Sequence, residues 1–264
     1  MSAEQDPEAP PEWSDELGPN DGLLVMSNLE KKFGGITAVD ELSFAVQEEE
    51  ILGFIGPNGA GKSTTFNCIS GIYPPTGGNI WYNGENVTDL PPYKMVKRGM
   101  ARTFQSFRPL EDRTVLQNIA LPLVPDKLFS LAGLRGDTIK KAEGVCELVG
   151  LDDRMHMTPD ELPHAGMLRL ELGRALATNP NILLLDEPFA GLSDPEVDSI
   201  SDLLKQLREE AGVTLVVVDH NMRGLFPLID RAVVIRFGEL LAEGTPEEIR
   251  SDPMVKEAYL GGGA

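Results

Sequence analysis

Basic residues are scarce in this chain. Lys and Arg total 23 against 42 Asp and Glu in 264 residues, a formal net charge of −19. Phosphate-backbone binding draws on clustered Lys and Arg, so nucleic acid is not an expected partner. Cysteine is scarcer still: Cys68 and Cys146 are the two present, too few for a disulfide framework. No apolar run approaches the ~20 residues that span a bilayer. The longest, around Ile182–Leu185 and Val213–Val218, are strand-sized. The N-terminus lacks a basic region followed by an apolar stretch, so no export signal is expected. Of the few histidines, His156 and His164 have no Cys or His companion at metal-ligand spacing. These absences together predict a cytosolic protein that meets a membrane only through a partner.

Hydrophobic residues make up 41% of the chain, enough for a real core. The acid excess reads either as ordinary solvated charge or as adaptation to high salt, where surface carboxylates keep a protein hydrated. Carboxylates spread along the whole chain favour the second, since such self-repulsion is relieved by screening. Met1–Gly22 is a block apart, with seven acidic residues, four prolines and neither Lys nor Arg. It cannot bury enough apolar surface to offset its ordering entropy and is expected to be a disordered tail.

From Leu23 the pattern changes. Leu23–Ser27 reads as a strand, and Leu42–Gln47 alternates with period 2, as a half-buried strand does. Ile51–Ile55 is a short apolar run closed by glycine, suited to a strand buried on both faces. Asn79–Tyr82 with Asn83-Gly84 reads as a strand and turn. Pro109–Glu171 is expected to be mostly helical, with Asp137–Val149 carrying Ile139, Ala142, Val145, Cys146 and Val149 at helical spacing. Then strands and helices alternate: Ile182–Leu185, Pro195–Glu210, Val213–Val218. That alternation predicts a parallel sheet wrapped by helices.

Gly56-Pro57-Asn58-Gly59-Ala60-Gly61-Lys62-Ser63 fits G-x-x-x-x-G-K-[ST], between a buried strand and a helix opening through Thr64. Glycines let backbone N–H groups turn toward phosphates, and the helix end adds positive potential. Lys62 would reach the β- and γ-phosphates, and Ser63 would ligate Mg²⁺. The strand Ile182–Leu185 ends in Asp186 and Glu187, which would serve the Mg²⁺ shell and a general base. A strand ending in acids is commonly just a solvated end, but beside a phosphate loop it gains meaning. Val216–Val218 likewise ends in polar residues, Asp219 and His220, and of these His220 would reach the γ-phosphate.

From Leu23 to Gly261 these residues resemble the ATP-binding subunits of ABC transporters. Gly56–Ser63 is similar to the family's Walker A, Ile182–Glu187 to its Walker B and catalytic Glu, and Ala101–Gln105 to its Q-loop. Gly191–Asp194 is similar to the D-loop, and His220 to the switch histidine. Phe33 falls where the family stacks an aromatic ring on adenine. The resemblance implies a P-loop NTPase (RecA-like) α/β core with an antiparallel β subdomain and an inserted helical subdomain, roughly residues 106–175. It implies ATP and Mg²⁺ as ligands, with Gln105 joining Ser63 and Asp186 at the metal, and catalysis by Glu187, His220 and Lys62.

One motif departs. Where the family has Leu-Ser-Gly-Gly-Gln, this chain has Leu162-Pro163-His164-Ala165-Gly166. In the family this segment and Asp194 meet the nucleotide of the opposite subunit. Pro163 lacks both a hydroxyl and an N–H, so the half-site is expected to be weakened unless Gly166 takes over. Phe33–Val39, Arg102–Gln105 and the stretches Glu243–Ile249 and Ala258–Gly261 are similar to branched-chain amino-acid importers, with urea and amide importers sharing the pattern. The implied partners are transmembrane permease subunits, a second cassette (identical or paralogous) and, indirectly, an extracytoplasmic solute-binding protein. The implied location is the cytoplasmic face of the cell membrane. A non-transport ABC ATPase is disfavoured by the single cassette and the acidity, and a small-molecule kinase by the Q-loop and His220.

Overall fold

A computed structural model describes residues 17–103, 108–124 and 136–260. Chain order begins with β1 (Leu24–Phe33), β2 (Ile36–Val46), β3 (Ile51–Ile55), α1 (Lys62–Ile69), β4 (Gly77–Tyr82) and β5 (Glu85–Asn86). Then come α2 (Pro92–Lys97), β6 (Met100–Arg102), α3 (Val115–Ala120), α4 (Gly136–Leu148) and α5 (His164–Leu176). The last third runs β7 (Ile182–Asp186), α6 (Asp194–Ala211), β8 (Thr214–Val218), α7 (Met222–Leu225), β9 (Arg231–Arg236), β10 (Glu239–Gly244), α8 (Pro246–Ser251) and α9 (Pro253–Leu260).

Two sheets form. The smaller is antiparallel with order β2-β1-β4-β5, and the larger has six strands in the order β10-β9-β3-β8-β7-β6. From β9 to β6 the larger sheet is parallel, with β10 joined antiparallel at its edge. The period-2 pleat sends alternate side chains to opposite faces. Ile51, Ile55, Leu183, Leu185, Leu215 and Val217 join one apolar cluster with α3, α4, α5 and α6. Leu52, Phe54, Leu184, Val216 and Val218 join another with the antiparallel sheet and α1. The central strands are therefore covered on both sides, as their unbroken apolar runs require.

The sequence boundaries hold closely for β3, α4, β7, α6 and β8. β1 runs on past Ser27 through Glu30, Lys31 and Lys32, whose polarity hides the strand, and its register with β2 is irregular there. Residues 17–22, which composition groups with the tail, form a turn. Gly18 N–H donates to Asp21 (2.6 Å), and Gln47 Nε2 donates to the Asp21 carbonyl (2.8 Å). The rest of the expected tail lies outside the described residues, as does Gln105.

Candidate active site

The phosphate loop leaves the C-terminal end of β3 and enters α1. Gly61 holds φ +107°, and a Cβ there would sit 2.4 Å from the Ala38 carbonyl oxygen, so only glycine fits. The β9–β10 turn braces the loop: Gly238 N–H donates to the Ala60 carbonyl at 2.9 Å, and its own carbonyl accepts from Asp40 at 3.0 Å. Lys62 Nζ folds back to donate to the carbonyls of Gly56 (2.6 Å) and Pro57 (3.0 Å). Burial holds the Lys62 ammonium below the ordinary lysine value, and the charges of Glu187 and Asp186 oppose that shift. Those two carboxylates therefore act on the loop's cation. Ser63 is exposed and Thr64 half-buried, on the first turn of α1.

Because β8 lies between β3 and β7, the ends of three adjacent strands converge. Glu187, just past β7, has φ +53° and donates its N–H to the Val218 carbonyl at 2.7 Å. Its Oε1 is 3.2 Å from His220 Nε2, past the end of β8. Between them, buried Asp219 accepts from the N–H groups of Phe189 (2.8 Å) and Asn221 (2.7 Å), clamping the two turns together. Burial pushes the Asp219 carboxyl above its usual range despite those bonds. Asp186 Oδ2 accepts from Arg102 Nη2 at 2.9 Å. Arg102 Nη1 also donates to Asn67 Oδ1 (2.7 Å) and Ser70 Oγ (3.0 Å) on and just after α1, with the guanidinium over the Phe66 ring.

The structure thus brings Lys62, Ser63, Asp186, Glu187 and His220 together at the C-terminal ends of adjacent central strands. Phe33 ends β1 with its ring 44% exposed. Pro163 caps α5, so His164, Ala165 and Gly166 form its first turn. His164 Nε2 lies 3.0 Å from the Ala190 carbonyl, which ties this segment to the turn after Glu187. Leu162 is buried beneath, and exposed Asp194 pairs with Arg223. Sequence reasoning gave no role to Arg102 or Asp219. The signal for Arg102 is an arginine closing an otherwise apolar strand, which demands a carboxylate partner.

Among the described residues no cluster of three or more His, Cys, Asp or Glu could hold a metal alone. That suits Mg²⁺, which keeps several waters and takes one or two protein oxygens with substrate phosphates. The Ser63 hydroxyl and Asp186 carboxylate are such hard oxygen donors.

Residues 39–190 match the ABC transporter family model, and residues 239–264 match the branched-chain amino acid ATP-binding cassette transporter model. The chain is 38% identical over 249 residues to the high-affinity branched-chain amino acid transport ATP-binding protein BraF of Pseudomonas aeruginosa, covering 90% of this chain and 98% of BraF. It resembles the ADP conformation of MJ1267, an ATP-binding cassette of an ABC transporter, with TM-score 0.82, 30% identity, and coverage of 90% and 98%. It also resembles the dimeric post-hydrolysis cassette MJ0796 bound to ADP and Pi, with TM-score 0.73, 29% identity, and coverage of 84% and 98%.

Proposed function

Since this chain belongs to the ABC transporter family of ATP-binding cassettes, we propose that it is the ATP-hydrolysing subunit of an importer for branched-chain amino acids. The observation that carries the reading is the meeting of the phosphate loop, Asp186, Glu187 and His220 at three adjacent strand ends. The C-terminal match and the likeness to BraF favour branched-chain amino acids over the urea and amide importers.

ATP lays its phosphates over Gly56–Ser63, where backbone N–H groups and the N-terminus of α1 face them. Lys62 leaves the loop carbonyls for the β- and γ-phosphates. Phe33 stacks on adenine. Ser63 and Asp186, with Gln105, would hold Mg²⁺, which would supply positive charge to offset that of the phosphates. Glu187 accepts the proton of a water as its oxygen attacks the γ-phosphorus and the bond to the β-phosphate oxygen breaks. His220 holds the Glu187 carboxylate and reaches the transferring phosphoryl group. A second cassette contributes its counterparts of Leu162–Gly166 and Asp194 across the nucleotide, a dimer that the MJ0796 likeness supports.

Among the described residues no helix is long and apolar enough to cross a membrane. The likeness to BraF supports transmembrane permease subunits that tether the chain at the cytoplasmic face, with an extracytoplasmic solute-binding protein that delivers the solute to them. The test is uptake by this cassette reconstituted with its permease and binding-protein partners in lipid vesicles. Uptake of labelled leucine that needs ATP on the cassette's side is expected. ATP-driven uptake of urea without leucine, isoleucine or valine would contradict the substrate reading.

A further inference from the structure

Lys31 sits on β1 two residues before Phe33, yet its side chain does not extend into water: the residue is 8% exposed. Its Nζ donates to the Pro74 carbonyl at 2.7 Å. The ammonium lies over the Phe33 ring, 5.0 Å from its centroid, and 5.8 Å from that of Tyr73. Glu30 on the same strand pairs with Lys32 instead, at 2.7 Å. Tyr73 meets Phe33 edge-on, with centroids 5.4 Å apart and planes at 80°. The Tyr73 N–H donates to the Asn67 carbonyl of α1 at 3.0 Å, so the aromatic pair is tied to the helix that begins at the phosphate loop.

We propose that Lys31 and Tyr73 are positioning residues for the nucleotide base. Tyr73 and the Lys31 stem stop the Phe33 ring from turning. The ammonium covers one ring face and leaves the other for a purine. A cation over one face draws ring electron density toward itself, which strengthens stacking of an electron-rich base on the opposite face. The tie through Asn67 fixes the distance from base platform to phosphate cradle. The proposal rests on Phe33 being the base platform, and the test separates the two claims.

The experiment is equilibrium binding of ATP and of inorganic tripolyphosphate to the full chain, by titration calorimetry without added metal. Tripolyphosphate carries the phosphates and no base. Lys31→Met is expected to weaken ATP about two- to five-fold, the low end of what a cation–ring contact is worth, and to leave tripolyphosphate unchanged. Lys31→Arg should restore most of the loss, and Lys31→Met should add nothing in a Phe33→Leu background. Equal weakening of both ligands, or the same loss with Phe33 already replaced, would overturn the role of Lys31. If Phe33→Leu leaves the ratio of the two affinities untouched, the base platform itself is wrong, and the proposal falls with it. Should Lys31→Met fail to fold, Tyr73→Leu asks the same question through the ring edge.

Discussion

Arg102 joins three elements through one guanidinium: Asp186 at the end of β7, Asn67 in α1 and Ser70 just beyond it. Its side chain is 8% exposed and that of Asp186 12%, so the pair is largely shielded from water. Removing one member of such a pair leaves the other charge buried and costs about 3 kcal/mol or more. Arg102→Met is therefore expected to lower unfolding free energy in urea by about 3 kcal/mol, with far-UV spectra unchanged at zero denaturant. A loss under ~1 kcal/mol, the range of a solvent-exposed pair, would contradict that assignment. Glu187 and His220 were legible in the sequence because each closely follows an apolar run, and Lys62 because it closes the glycine-rich phosphate-loop motif. The Arg102–Asp186 pair was not, because its members lie 84 residues apart, and the arginine at the end of β6 signals a carboxylate partner without saying which. The clamp by Asp219 was hidden for a similar reason, since it accepts from Phe189, 30 residues away.

Secondary structure was readable wherever one force dominated. β3 was closed by glycine, and α6 was opened by Pro195. The structure adds a cap in which the Glu196 carboxylate accepts from the Ser193 N–H and hydroxyl. α5 is harder, because the residue that should supply a capping hydroxyl is Pro163. The helix nevertheless begins at His164, which places Gly166 in its first turn. Backbone donors of that turn remain, while the serine hydroxyl is gone. In a dimer with a paralogous cassette, the nucleotide facing this helix end is then expected to turn over more slowly than the other. Each lost donor to a transferring phosphate can slow a site by about 10²–10³-fold. A mixed dimer tests this, with the catalytic glutamate changed to glutamine in one cassette at a time. Glu187→Gln should remove most hydrolysis, and the partner's equivalent change little. Equal losses would mean that Gly166 and its neighbours fully serve the second nucleotide.

At the scale of the whole molecule, the ends of three central strands carry the site residues. Apolar clusters cover both faces of the six-stranded sheet, and a fully buried Leu, Ile or Phe in them contributes ~1.5–3 kcal/mol. That rigid sheet sets Glu187 and His220 beside Lys62, while α3, α4 and α5 pack together on one side. The overall architecture was legible because strand and helix periods alternate. The seating of the antiparallel sheet over the phosphate loop, through Ala38 and Gly238, was not, because it is made by backbone contacts that leave no side-chain pattern beyond the glycines that permit them. The role proposed for these strand ends is ATP hydrolysis with Glu187 as the base. It is tested most directly on the assembled permease complex carrying Glu187→Gln, with ATP binding and phosphate release measured on the same preparation. ATP affinity within about two-fold of the parent with phosphate release lowered at least ~100-fold is the expected result, the scale of general-base catalysis. Phosphate release at the parent rate would contradict it.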